Sequence, residues 1–229
     1  MPKRIGKNIN IALTGASGRM GLAIQELSAA QTFTVTQRIQ RSADWRKIKT
    51  IDLVIDFSSP EGFREALQWC VQHKVRLLSG TTGLSSSDHK ALKQAAKRIP
   101  VLYSANMSLG IAVLTRLLEG LAQIKDWDFQ IEEVHHRAKK DSPSGTALSL
   151  QHKLVQVLGR ELPSPLAVRG GGVPGIHQIW AFGPDESLTL QHTAFNRKVF
   201  AQGALSGARW LFDKKEPGLY DLSDLYLKP

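Results

Sequence analysis

The stretch Ile9-Asn10-Ile11-Ala12-Leu13-Thr14-Gly15-Ala16-Ser17-Gly18-Arg19-Met20-Gly21 reads as a short buried strand running straight into a glycine-rich turn. A helical apolar pattern follows through Leu22, Ile24 and Leu27. Strand, glycine turn and helix in that order lift a glycine pattern above chance. The arrangement answers three physical demands: a tight turn, a close approach of backbone to pyrophosphate, and close packing of helix on strand. The spacing is G-x-x-G-x-x-G rather than G-x-G-x-x-G, so a structural turn without a ligand competes as a reading of this stretch alone.

Outward from this turn, strands and helices alternate. Residues 32–39, 51–57, 75–79 and 101–103 read as further strands. Between them lie a helix running to about His73, with Pro60 in its first turn or the preceding loop, and a second from a serine cap at 85–87 to Arg98, stopped by Pro100. Alternation of this kind predicts a parallel sheet with right-handed crossovers. In such sheets ligands bind beyond the carboxyl ends of the strands. The turns at 15–21, 80–83 and 104–107 all follow strand ends, so they are expected to line one crevice. At the tip of the second strand a carboxylate would hold a ribose 2′-hydroxyl and an arginine a 2′-phosphate. Here the tip carries Gln40 and Arg41, with Arg38, Arg46, Lys47 and Lys49 nearby, which predicts tolerance of or preference for NADP over NAD.

After Met107 the character changes. Residues 108–123 read as a helix, and 127–134 as a strand that delivers His135 and His136. Ser144 caps a helix through Leu158, closed by Gly159. A glycine-rich turn at 169–175 separates strands at 166–168 and 176–182, and 187–193 forms another. A helix over 199–212 returns the chain to the first domain, and the tail at 218–222 looks packed. The expected fold is α/β: a Rossmann-type parallel sheet domain plus a smaller α+β domain with an open mixed or antiparallel sheet. The boundaries expected are 1–107 with 198–229 for the dinucleotide-binding domain and 108–197 for the second.

Composition bounds the class. A chain of 229 residues can bury one good core or two small ones. Its 42% hydrophobic and 22% charged content is that of a globular protein. One cysteine, Cys70, excludes an intramolecular disulfide, suits a reducing cytoplasm, and falls in an apolar helical pattern where packing is its expected role. The first apolar run, 9–13, is too short for a signal segment or membrane span, so a soluble cytoplasmic protein is expected. The net charge of +10 fits either nucleic acid or a nucleotide cofactor with an acidic substrate. No zinc-finger, RNP or KH pattern is present and the basic residues are spread along the chain, which favours small anions.

One stretch gathers reactive groups: Glu132-Glu133-Val134-His135-His136-Arg137-Ala138-Lys139-Lys140-Asp141-Ser142-Pro143-Ser144-Gly145-Thr146-Ala147-Leu148. Histidine titrates near neutrality, lysine donates a proton or pairs with a carboxylate, and N–H groups at a helix start attract anions. A solvated basic loop is the alternative reading of the same charges.

Taken together, Gly15–Gly21, Gly80-Thr81-Thr82-Gly83 and the run from His135 through Lys139 to Leu148 resemble the dihydrodipicolinate reductase family. Asp56-Phe57-Ser58, Pro60-Glu61-Gly62, Ala105-Asn106, Gly203-Ala204-Leu205 and Gly218-Leu219-Tyr220 extend the resemblance over nearly the whole chain. It implies NADPH- or NADH-dependent reduction of a cyclic imine dicarboxylate to tetrahydrodipicolinate in lysine and diaminopimelate biosynthesis. By similarity, His135 is the acid/base group and Lys139 the proton donor, while His136, Gly145 and Thr146 hold substrate carboxylate. Gly15, Ala16, Ser17, Gly18, Arg19, Met20, Gly80, Thr81, Thr82, Ser104, Ala105, Asn106 and Met107 hold the cofactor, with Arg41 near the ribose. The second domain would bind substrate and build a homotetramer, and neither a metal, a nucleic acid nor a membrane is implied. Gln40 in place of an acid, a short link to Ile51 and a short segment from Pro165 to Arg169 set this chain apart. The rival readings are another Rossmann dehydrogenase of amino or keto acids, and a basic nucleotide- or nucleic-acid-binding module.

Overall fold

The computed structural model describes residues 8–29, 31–40, 45–48 and 51–226. In chain order the elements are β1 (Ile9–Thr14), α1 (Arg19–Ser28), β2 (Phe33–Ile39), β3 (Leu53–Asp56), α2 (Pro60–His73), β4 (Arg76–Ser79), α3 (Ser86–Ala95) and β5 (Pro100–Tyr103). They continue with α4 (Leu109–Leu117), β6 (Asp128–His135), α5 (Gly145–Leu158), β7 (Leu166–Arg169), β8 (Gly175–Phe182) and β9 (Ser187–Ala194). The last are α6 (Lys198–Asp213), β10 (Gly218–Tyr220) and α7 (Leu222–Tyr226). Short 3₁₀ helices lie at Trp45–Lys47 and Leu118–Ile124. The chain divides into two compact units, one running to Met107 and resuming at Lys198, the other Ser108–Arg197.

The first unit is built on a six-stranded sheet of order β10-β5-β4-β3-β1-β2 with every pair parallel. All four residues of β3 are buried, as befits a strand covered on both faces. Ala12, Val54, Leu77 and Val101 form one core layer with Phe63, Ala66 and Cys70 of α2 and Leu92 of α3. Burial pushes the Cys70 thiol up, so it packs as a small hydrophobe. The caps explain the helix limits. Ser59 accepts from the Gly62 N–H with Pro60 in the first turn, and Ser85 with Asp88 forms a reciprocal capping box. α3 stops at Ala95 rather than Arg98, because the Lys97 and Arg98 N–H groups turn back to Gln94 and Ala95 in tight bonds. The tail at 218–220 does more than pack: β10 adds an edge strand beside β5.

The second unit carries a four-stranded mixed sheet of order β7-β6-β8-β9, with β6 and β7 parallel and the other pairs antiparallel. Its strands alternate with period two, so β6 and β8 each present one buried face. On that face Phe129, Ile131, Ile179 and Ala181 meet Leu114, Leu118, Leu121, Leu150 and Leu154. Each fully buried leucine contributes roughly 1.5–3 kcal/mol relative to exposure. The helix expected over 108–123 is shorter, ending at Leu117 and tightening into the 3₁₀ turn. Gly120 lies in that turn, and glycine favours helix continuation poorly. Leu166, Val168 and Phe182, with Trp180 stacked on Phe182 at 5.7 Å, lie on the opposite face. Among the described residues no helix is long and apolar enough to cross a membrane.

Candidate functional site

In the first unit the parallel register brings the carboxyl ends of β1, β4 and β5 to one sheet edge. The turns at Gly15, Gly80 and Ser104 all emerge there. Gly15 has φ +69°, and a Cβ on it would meet the Phe57 carbonyl oxygen at 2.1 Å, so only glycine fits this turn. Gly18 caps α1 and donates its N–H to Gly15 O at 2.9 Å. Ser17, Gly18 and Arg19 are exposed, whereas Ala16 is buried under the turn and Met20 partly so. A cavity of about 660 Å³ opens against Thr14, Gly15, Gly18, Gln40, Trp45 and Ser58, which fits a bound nucleotide in size and place. Arg41 lies outside the described residues.

A buried carboxylate underlies this edge. Asp56 accepts from the hydroxyls of Thr14 and Ser58 at 2.5 Å, Ser79 at 2.7 Å and Thr81 at 2.8 Å. The Thr81 hydroxyl is thereby committed, and what it can offer a ligand is backbone. Gly80 stands partly exposed and Thr82 exposed beside it. Ser104 donates to Asn106 O at 2.6 Å, shaping the turn that holds Ala105 exposed and Met107 buried.

In the second unit β6 sets Glu133 and His135 two residues apart on its buried face. Glu133 is fully buried. Its Oε1 accepts from Arg169 Nη2 at 2.7 Å and from the Ser144 N–H at 2.9 Å. Its Oε2 stands 2.9 Å from His135 Nδ1, at ion-pair distance but off the hydrogen-bond line. Burial pushes the Glu133 carboxyl up, yet the bonds from Ser144 and Arg169 and the neighbouring His135 bring it below its ordinary value. Burial pushes His135 down, opposed by Glu133 and reinforced by Lys139 and Arg169. Glu133 faces His177 directly across the β6–β8 pair, and His177 faces His192 across β8–β9. Burial, then the charge of His135, pushes His177 down to about 3, which keeps it neutral. Ser144 Oγ lies 3.4 Å from His177 Nε2, and Ser108 Oγ 3.1 Å from His192 Nε2.

The remaining expected residues follow on the same loop. His136 donates its N–H to Val173 O at 2.8 Å and accepts the Lys139 N–H on its carbonyl at 3.0 Å. The Lys139 ammonium stands 2.9 Å from Asp141. Burial raises the Asp141 carboxyl, but Lys139 and N–H groups that include Gly145's hold it below the usual range. Ser144 caps α5 by accepting from the Ala147 N–H at 3.2 Å, which leaves Gly145 exposed and Thr146 half-buried in the first turn. His135, Lys139, Gly145 and the Ser144 cap thus belong to one connected group, through Glu133 and Asp141.

Glu133, Asp141, Arg169, His177 and His192 were given no role by the sequence reading. The two-residue spacing of Glu133 and His135 was a visible signal. The two histidines on β8 and β9 are found only through cross-strand register. Ligand atoms of Glu133, His135 and His177 lie within 4.8 Å of one another, as a metal triad could. Oε1 is taken by Arg169 and the Ser144 N–H, while Oε2 receives no hydrogen bond and stands at ion-pair distance from His135 Nδ1. Glu133, Arg169 and Ser144 form a buried hydrogen-bonded group, beside which His135 and His177 stand at ion-pair distances of 2.9 and 3.9 Å.

A parallel sheet with a glycine turn at the tip of its first strand, joined to a unit bearing a histidine–lysine loop at a helix start, defines a nicotinamide-dependent oxidoreductase of the dinucleotide-binding class. The family model for the dihydrodipicolinate reductase N-terminus matches residues 9–107, and that for its C-terminus matches residues 110–226. The 4-hydroxy-tetrahydrodipicolinate reductase of Bdellovibrio bacteriovorus is 45% identical over 222 residues, covering 96% of each chain. The enzyme of the same name from Rickettsia bellii is 39% identical over 239 residues, covering 95% of this chain and 94% of its own. A dipicolinate-bound dihydrodipicolinate reductase from Paenisporosarcina sp. TG-14 shares the fold, with TM-score 0.75 at 19% identity over 96% of this chain and 99% of that one. The chain belongs to the dihydrodipicolinate reductase family.

Proposed function

We propose that the chain reduces 4-hydroxy-tetrahydrodipicolinate, by way of dihydrodipicolinate, to tetrahydrodipicolinate in lysine and diaminopimelate biosynthesis. The observation that carries this is one connected group, His135, Glu133, Ser144 and the start of α5, in a chain that the family's two models cover almost end to end. When bound, NADPH or NADH supplies the hydride. His135 and Lys139 supply the proton that must meet the electron density this builds on the substrate. His136 and the N–H groups of Gly145 and Thr146 hold a substrate carboxylate, with the backbone donors of a helix start favouring negative charge.

The glycine turn from Gly15 to Met20, the segment Gly80 to Thr82 and the segment Ser104 to Met107 hold the cofactor. Gln40 lines the cavity without a charge of its own, which suits either cofactor, and Arg41 decides for NADPH. The domain 1–107 with 198–229 thus binds the dinucleotide, and 108–197 binds the substrate. The open face of the second sheet, with Leu166, Val168 and Phe182, offers the surface for a homotetramer. The enzyme works in the cytoplasm.

The test is a coupled assay with fresh product of the preceding synthase, run with NADPH and with NADH. Absorbance at 340 nm falls with substrate present and stays flat without it. A flat trace in both cases rejects the reading. Arg41→Ala is expected to raise KM for NADPH several-fold more than KM for NADH.

A further inference from the structure

We propose that Glu133 is a positioning residue of the reaction: its charge sets the His135 ring from the Nδ1 side and it fixes the start of α5 through the Ser144 N–H. This deepens the reading that His135 is the acid/base group and Gly145 and Thr146 seat a carboxylate, and it rests on that reading.

Three contacts carry it. The Glu133 side chain is fully buried, a costly place for a carboxylate unless its lone pairs are taken up. Oε1 takes the Arg169 guanidinium and the Ser144 N–H, while Oε2 receives no hydrogen bond and faces His135 Nδ1 at an ion-pair distance of 2.9 Å. One carboxylate therefore touches both parts of the site that must meet the same substrate. A general acid works only when its ring faces the reacting atom in a fixed tautomer. With Nδ1 turned to Glu133, the nitrogen left for substrate is Nε2. That nitrogen lies toward Gly175, where an added Cβ would come within 3.0 Å of it. Arg169 also donates to the Asp141 carbonyl at 2.7 Å, so the Lys139–Asp141 segment is pinned to the same carboxylate.

The charges around His135 are Glu133 and Asp141, which favour its protonated form, and Lys139 and Arg169, which oppose it. Neutral His177 stands edge-on at 5.1 Å. Replacing Glu133 by the uncharged amide therefore removes the nearest group that favours the imidazolium.

The experiment compares wild type, Glu133→Gln, His135→Ala and the double variant in kcat and KM from pH 5.5 to 9. Glu133→Gln is expected to lower kcat by about 10²-fold, with KM for NADPH unchanged. The pH limb that belongs to His135 should move to lower pH by about one unit, as should the His135 ring resonance in an NMR titration. The double variant should be no slower than His135→Ala alone. Additive losses, or an unmoved limb and resonance in a folded Glu133→Gln protein, would overturn the proposal. If Glu133→Gln does not fold, Glu133→Asp, which withdraws the carboxylate by one methylene, should move the same limb. An unmoved limb there counts equally against it. Failure of the underlying reading looks different: His135→Ala itself would keep wild-type kcat.

Discussion

The Lys139 ammonium stands 2.9 Å from the Asp141 carboxylate, and the Gly145 N–H at the start of α5 reaches the same group. The loop therefore holds, within itself, the kind of anion that the substrate would bring. Lys139→Ala should reduce kcat by about 10²–10⁴-fold, the range a general acid contributes. Lys139→Arg should not restore it, because a guanidinium holds its proton at all working pH values. Initial rates at 340 nm beside calorimetric titration with pyridine-2,6-dicarboxylate separate the loss of proton transfer from the loss of binding.

His177 gives stability a pH dependence of known sign. Its folded value is pushed down to about 3 by burial, against about 6.5 for a free imidazole. Between those values the unfolded chain binds a proton that the folded chain does not, so stability is full above about pH 6.5 and falls as pH is lowered. The loss is at most about 1.4 kcal/mol per pH unit. His135 and His192 are pushed the same way by burial and act in the same direction. Melting temperature recorded from pH 7.5 to 4.5 should hold down to about pH 6.5 and fall below it, and His177→Gln should flatten part of that slope.

Gly203 on α6 lies against the Met107 carbonyl, where an added Cβ would come within 1.7 Å of the oxygen. Both are in the first unit, and no flexible side chain tip can yield there. Gly203→Ala is expected to destabilise by about 1–3 kcal/mol, as overpacked cores do. Denaturant midpoints at constant m-value measure it, with Ala204→Gly as a control that adds no bulk.

Asp56→Ala leaves three buried hydroxyl groups, those of Thr14, Ser79 and Thr81, and the exposed one of Ser58 without their shared acceptor. Each orphaned buried donor costs about 1–3 kcal/mol. The expected outcome is a lower melting temperature together with weaker cofactor binding by fluorescence titration. Ligand affinity for pyridine-2,6-dicarboxylate should change less.

Local signals carried most of the fold. The period-two alternation of β6 and β8, the Ser59, Ser85 and Ser144 caps, and the glycine turn at Gly15 act over a few residues and can be read one stretch at a time. What eluded reading depends on pairing between distant segments. β10 is only three residues long, and it becomes a strand because β5 offers it an edge. Glu133 sits across from His177, and His177 from His192, because β6, β8 and β9 adopt one register, which a two-residue period constrains only to every second position. The helix expected to run to residue 123 failed at its end, where the backbone tightens into 3₁₀ geometry after Leu117.

The first sheet takes its edge strand β10, and α6 beneath it, from chain that follows the whole second unit. During synthesis the early strands therefore leave the ribosome without one border of their sheet and with apolar surface uncovered. The second unit lies entirely within one uninterrupted stretch and can finish folding while its neighbour waits. A released chain truncated after Arg197 should accordingly shield the second unit from protease while the first stays open, reversing the order in which the two begin.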